Sequence, residues 1–372
     1  MQIVALDVHI SSITAAMLDL QAPEPKTVVR RFGTDPDGIR ELSKRLQHDD
    51  VVLLEATTNA FWLYDQLAGL VKSCYILNTR KVTLQGNKSD ALDAKRLVQL
   101  LSTHVLLGTE GELPKVWVPP AEIRELRTLF SVYRSCKKAI TQTKNRLHSL
   151  YRQQGVVFQR YRLSTSAKWR AMLKEHPLTG VLPFVAEELL KQLEAAESQA
   201  QSIRRLILRK GMEHYDQSVR LLMTIPGFSA LTSIALLSDI GDIRRFPSVK
   251  NFCCYLRTTP SLHASNRTIH LGAVNKASRS LTVTLLTQSA NHLKEATPYF
   301  RGFYERLRSG KGFGKTKIAL IHKILVCAYY ILKRQQPFRY ETKVSYEWKT
   351  YRLMRELNRT PESCELSEPL RA

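Results

Sequence analysis

Four carboxylates in the first quarter of the chain stand where they could do chemistry together. Asp7 ends the apolar run Gln2-Ile3-Val4-Ala5-Leu6, Glu55 ends Val51-Val52-Leu53-Leu54, and Asp90 and Asp93 sit three apart in Lys88-Ser89-Asp90-Ala91-Leu92-Asp93-Ala94. An apolar run of this length reads as a buried central strand, and a carboxylate at its end must face water, a cation or a metal. Oxygen clusters suit hard divalent cations, and two such ions about 3.5–4 Å apart can clamp the attacking and leaving oxygens of a phosphodiester. The chemistry indicated is phosphoryl transfer with Mg²⁺, or Mn²⁺ in its place.

The order strand-Asp, strand-Glu, helix-Asp-x-x-Asp is what a ribonuclease H-like nuclease core needs. Each acid taken singly also has a structural explanation. Strand-end acids commonly cap a helix or face solvent, and Asp90 and Asp93 would favour the macrodipole in the first turn of a helix.

The elements that must position these acids are legible as alternating runs. Gln2–Leu6, Ile13–Leu20 and Thr27–Phe32 are β-type segments separated by polar or proline-bearing turns, an antiparallel meander. Helical spacing over Asp35–Gln47, a strand at Val51–Glu55, a helix from Asn59 to Val71 and a strand at Cys74–Leu77 follow. This β-β-β-α-β-α-β order predicts a mixed sheet with helices on its faces. Ser89 is placed to cap a helix to about Ser102 that would lay Leu92, Leu97, Leu100 and Leu101 on the sheet.

At 372 residues the chain has room for two or three domains, and its formal charge of +23 calls for a polyanionic partner. A basic surface binds DNA or RNA with a strong salt dependence through counterion release. No run of about eighteen uninterrupted apolar residues suggests a membrane span, and no charged leader precedes an apolar stretch at the N-terminus. The six cysteines have no CxxC spacing, as for reduced thiols in a cytoplasmic protein, and the ten histidines do not cluster with them as zinc ligands.

From Pro119-Pro120 to about Gln154 runs a basic helical pattern, with Arg124, Arg127, Arg134, Lys137, Lys138 and Lys144 interleaved with Leu126, Leu129, Ile140, Leu147 and Leu150. A second helical stretch spans Val185–Lys210, beyond a loop containing Pro177 and Pro183. Together they predict an antiparallel hairpin or an oligomerising coiled-coil arm. The one-signed charge of the first helix marks it for nucleic-acid contact, although a charged face is often only a solvated one. Further on, Leu221–Phe246 has the helix, Ile-Pro-Gly turn, helix outline of a helix-hairpin-helix. Such a turn either holds a DNA phosphate on its amides or is an ordinary packed turn in which Gly227 supplies backbone freedom.

Asp7, Glu55 and Lys88-Ser89-Asp90-x-x-Asp93-Ala94, followed by Ile225-Pro226-Gly227, Asp239-Ile240-Gly241-Asp242-Ile243 and Phe246, resemble the IS-one-ten family of insertion-sequence transposases, relatives of Piv-type DNA invertases. Thr259-Pro260-Ser261-Leu262-His263-Ala264-Ser265 is similar to that family's motif with a serine five residues after a proline, and Pro298 through Lys317 to its late helical segment. The resemblance covers roughly residues 1–337. It implies an α/β plus α architecture: a ribonuclease H-like (RuvC-like) domain over 1–109, a helical coiled-coil arm over 110–214 and a mostly helical serine transposase domain over 215–340; the C-terminal tail over 341–372, with Glu362, Glu365 and Glu368, has no counterpart in the family. It further implies metal-binding acids at Asp7, Glu55, Asp90 and Asp93, a nucleophile at Ser265, and DNA recombination through a phosphoserine intermediate. Its implied partners are double-stranded DNA and, as for some members, a guide noncoding RNA, while the helical arm between two catalytic sets far apart in sequence points to further copies of the chain in a homodimer or homotetramer. The chain departs from the family where a glycine usually follows the serine: it has Asn266-Arg267.

A serine hydroxyl is a poor nucleophile unless its proton is removed and the phosphate charge is screened. Around Ser265 the chain offers no obvious base, but His263, Arg267, His270, Lys276 and Arg279 are cations or potential cations for the scissile phosphate. Metal held by the distant acids would supply the missing activation, in the same subunit or a different one. Ser261 is a neighbouring candidate, and only the family spacing favours Ser265. Two other functions use the same residues differently: a metal-only RuvC-like junction nuclease needs the acids without Ser265, and a non-catalytic nucleic-acid-binding protein needs only the basic surface.

Overall fold

The N-terminal apolar runs form a meander of β1 (Gln2–Val8), β2 (Ser12–Asp19) and β3 (Thr27–Gly33). After it come α1 (Pro36–Ser43), β4 (Val51–Glu55), α2 (Ala60–Leu67), β5 (Ser73–Leu77) and α3 (Asp90–Leu106). The strands make one mixed sheet in the order β3-β2-β1-β4-β5, antiparallel across the meander and parallel from β1 through β4 to β5. The structure, a computed structural model, describes residues 1–82, 89–158, 163–265, 268–274, 281–339 and 343–357. They fall into two units, Met1–Pro119 and Pro120–Ala372.

Period-two alternation sorts each central strand between two cores. Val4, Leu6 and Val8 pack with Val52 and Leu54 beneath Ile39 and Leu42 of α1 and Leu63 and Leu67 of α2. Ile3 and Ala5 pack with Val51 and Leu53 beneath Ala94, Leu97, Val98 and Leu101 of α3. Covering both faces explains why β1 and β4 are continuously apolar rather than alternating. Asp35 caps α1 by accepting from the Gly38 amide, and Ser89 caps α3 by accepting from the Leu92 amide.

The second unit begins with α4 (Ala121–Gln153), about 50 Å long at 1.5 Å per residue. It packs antiparallel on α6 (Leu182–Met223), with Cys136, Ile140, Leu147 and Tyr151 against Ala200, Ala196, Leu193, Leu190 and Leu189. The sequence pattern ended the second long helix at Lys210, whereas α6 continues to Met223 through a non-helical break at Tyr215 (φ −136°). The connection holds a further helix, α5 (Ser166–Glu175), whose Trp169 is fully buried and edge-on to His148. At ten residues, with Trp169 as its one fully buried side chain, α5 is too short to give a periodic signal.

Next come α7 (Ala230–Ile240), α8 (Val249–Tyr255), a ribbon of β6 (Pro260–Ser265) and β7 (Thr268–Val274), and the helices α9 (Leu281–Ala296), α10 (Pro298–Arg308), α11 (Phe313–Arg334) and α12 (Lys343–Leu357). The Ile225-Pro226-Gly227 turn joins α6 to α7, with Gly227 at φ +80°. Its surroundings favour the packing role: Ile225 is fully buried, and the Met223 and Ile225 carbonyls accept from Lys349 Nζ of α12 at 2.6 and 2.8 Å.

Candidate functional site

Leu6 of β1 pairs with Leu54 of the parallel strand β4, so the next residues, Asp7 and Glu55, are neighbours at one end of the sheet. They share parity with Ala5 and Leu53, and so lie on the face that α3 covers. That helix begins with Asp90 and Asp93 in its first turn. Asp7 is 4% exposed and Glu55 half-buried. The Glu55 carboxyl is pushed up to about 7, first by burial and then by its hydrogen bond to Asp7 and the Asp7 charge; Asp93 adds to the rise and His9 opposes it. Carboxylates have been gathered here against their own repulsion.

His9 is the residue that the sequence pattern did not disclose. Its Nε2 lies 3.3 Å from Asp7 Oδ2 and 3.4 Å from Asp90 Oδ1. Asp7, His9 and Asp90 each offer a ligand atom, all within 4.8 Å of one another. The signal that could have found it is spacing: a residue two beyond Asp7 continues on the same side of an extended chain. Asp93 is less fully committed to the cluster, because its Oδ1 is 3.1 Å from Arg96 Nη1, one turn along α3.

A second buried acid at the other end of the same strands shows the contrast. Asp50 is fully buried, but its carboxylate accepts from the Gln2 amide at 2.6 Å and the Gln47 amide at 2.8 Å. It ties the start of β1 to the turn before β4, so its charge already has partners. Asp7 and Glu55 instead face other acids and one imidazole. That oxygen-rich donor set fits a hard divalent ion such as Mg²⁺ or Mn²⁺, and the single nitrogen does not exclude either.

In the second unit, Ser265 is the last residue of β6 and pairs across the ribbon with Thr268. The sequence pattern placed it in a loop and foresaw no strands there. The Ser265, His263 and His270 side chains, and the whole of Arg267, Lys276 and Arg279, lie outside the described residues.

The cations of α4 divide into two groups. Arg134, Lys137 and Lys138 are exposed on one helix face. Arg127 instead donates from Nε to the Ser238 carbonyl at 2.8 Å and from Nη2 to the Asp239 carbonyl at 3.1 Å, satisfying acceptors at the C-terminus of α7. Lys144 donates to the Ser164 carbonyl and lies 3.1 Å from Glu197 Oε1. Arg124 is half-buried. Asp239 is itself fully buried and caps the start of α9, its Oδ2 accepting from the Thr282 amide at 3.0 Å and hydroxyl at 2.8 Å.

Comparison with known proteins bears on both units. Residues 4–154 match the DEDD-type transposase family of IS110 elements, and residues 219–305 match the family described as Transposase IS116/IS110/IS902. The first match holds the four acids and His9; the second holds the Ile-Pro-Gly turn, Asp239 and Ser265. The chain is 21% identical over 308 residues to the transposase for insertion sequence element IS1111A of Coxiella burnetii, covering 77% of this chain and 79% of that one. It is 24% identical over 246 residues to a probable family 20 transposase of Pseudomonas aeruginosa, covering 64% and 70%. The pilin gene-inverting protein of Moraxella bovis is 32% identical over 124 residues, 32% of this chain and 38% of that one. Among the described residues no helix is long and apolar enough to cross a membrane. With the two domains matched in order, the chain belongs to the IS116/IS110/IS902 family of insertion-sequence transposases.

Proposed function

We propose that this transposase cuts and rejoins DNA through a covalent phosphoserine at Ser265, assisted by a divalent cation held by Asp7, Glu55, Asp90 and Asp93. The observation that carries the metal assignment is the convergence of Asp7 and Glu55, from adjacent parallel strands, on the first turn of α3. The strand order β3-β2-β1-β4-β5, antiparallel then parallel, supports a ribonuclease H-like, RuvC-like core. The antiparallel pair of α4 and α6 supports a coiled-coil arm through which copies of the chain assemble, and the charge of +23 supports a nucleic-acid partner. Use of a guide RNA rests on the family resemblance.

In the chemical step the Ser265 hydroxyl oxygen forms a bond to phosphorus as the bond to the 3′-oxygen breaks. The serine proton passes to solvent water and the departing 3′-oxygen takes one up from it to become a hydroxyl, so the exchange of one ester for another is balanced. A bound divalent ion supplies charge neutralisation at the phosphate and a lowered pKa for a coordinated hydroxyl. Asp7, anchored by a strand buried on both faces, fixes one carboxylate, while the first turn of α3 carries Asp90 and Asp93. Strand joining is the reverse attack by a 3′-hydroxyl on the phosphoserine, which conserves the bond energy and needs no cofactor hydrolysis.

The test is a suicide substrate carrying a nicked recombination site, incubated with Mg²⁺ and resolved under denaturing conditions. Wild-type protein should form a covalent adduct mapping to Ser265, and both Asp7→Asn and Ser265→Ala should lack it. Strand cleavage by Ser265→Ala at the wild-type rate would reject the serine step in favour of metal-only hydrolysis.

A further inference from the structure

The last described helix carries a surface that neither matched family segment includes, since they end at residues 154 and 305. One side of α12 packs into the second unit through Tyr346, Leu353 and Met354, with Lys349 holding the Ile-Pro-Gly turn. The opposite side places Trp348, Tyr351, Arg352 and Arg355 in a stripe at spacings of three, four and seven. Trp348 is 59% and Tyr351 50% exposed, with their rings edge to face at 5.9 Å. Two large aromatics standing in solvent between arginines have no role in the core.

Beside this stripe, α12 and α6 enclose a cleft of about 630 Å³ lined by Gln201, Arg204, Arg205, Arg352, Arg355 and Glu356. Among the described residues, four guanidiniums line the cleft with one carboxylate. Arg204 cancels that carboxylate with two parallel bonds to Glu356, of 2.7 and 2.9 Å. Arg205, Arg352 and Arg355 add three positive charges that no other carboxylate among the described lining residues offsets.

We infer that this cleft and stripe bind a single-stranded polynucleotide, its phosphates on Arg205, Arg352 and Arg355 and its bases stacked on Trp348 and Tyr351. Charge complementarity selects a polyanion, and the exposed rings select one whose bases are unpaired, because the bases of a duplex are stacked on each other and unavailable. The arrangement of a basic groove flanked by aromatic faces is the one that tracks single strands without reading sequence. The inference does not depend on the chemistry at Ser265 or the acids.

The test uses the full chain with fluorescent oligothymidylate, oligouridylate and a duplex of equal length, together with strands carrying 5-iodouracil for photocross-linking. Cross-links from the wild-type protein should map by mass spectrometry to Trp348 or Tyr351. The double substitution Trp348→Ala, Tyr351→Ala should weaken single-strand binding by about fivefold or more, while duplex binding moves less than about twofold. Trp348→Phe should retain most of the affinity. Stronger retention of oligouridylate than oligothymidylate would mark RNA as the occupant, and the reverse DNA. Absence of cross-links in α12, or equal losses for single strand and duplex, would overturn the proposal. So would a change of oligomeric state in the double variant with single-strand affinity unchanged, which would make the stripe a protein interface.

Discussion

Replacing Arg134, Lys137 and Lys138 together with glutamine tests whether the exposed face of α4 holds nucleic-acid backbone. The structure selects these three from the six basic residues of the sequence pattern because they are exposed on one face. If each neutralises one phosphate of duplex DNA, the slope of log affinity against log salt falls by ~3 × 0.9, about 2.7. Between about 50 and 200 mM salt, wild-type protein would then lose roughly fortyfold more affinity than the variant. The assay is fluorescence anisotropy on a fixed duplex across that salt range. Arg127→Gln serves as the internal control, since its guanidinium is committed to the Ser238 and Asp239 carbonyls and should leave the slope unchanged while lowering stability. A triple variant with the wild-type slope would refute the assignment and leave the face as merely solvated.

Asp7→Asn should abolish Mg²⁺-dependent strand cleavage in a nicked-substrate assay while leaving salt-sensitive DNA binding within about twofold, because binding rests on the basic surface. Asp239→Ala should destabilise the second unit by about 2–4 kcal/mol, since it strands the buried Thr282 amide and hydroxyl, and hydrogen exchange at the start of α9 should report the loss. Gly211→Ala should also destabilise, by about 1–3 kcal/mol in urea unfolding, even though alanine is the better helix former. The added methyl would press on the fully buried, β-branched Ile234 of α7.

The strands and first helices of the N-terminal unit were legible because local rules determine them. Continuous apolar runs become strands buried on both faces, and Asp35 and Ser89 cap helices at positions their own types announce. Parity within a strand also puts Asp7 with Ile3 and Ala5, and Glu55 with Val51 and Leu53. The ribbon at Pro260–Val274 and helix α5 were not legible: one is a short pair of strands within a helical region, the other a ten-residue helix whose one fully buried side chain is Trp169.

What sequence alone determined is therefore the set of acids, their attachment to strand ends and a helix start, and the excess of positive charge. Tertiary structure decided which partners each group meets. It brought His9 between Asp7 and Asp90, and it separated Asp50, satisfied by backbone amides, from Asp7, which faces acids. It also turned Arg127 inward to the end of α7 and set Arg204 against Glu356, about 150 residues along the chain. Such pairings depend on contacts across long sequence separations, and no local periodicity encodes whether a given charge will meet a carbonyl, a carboxylate or water.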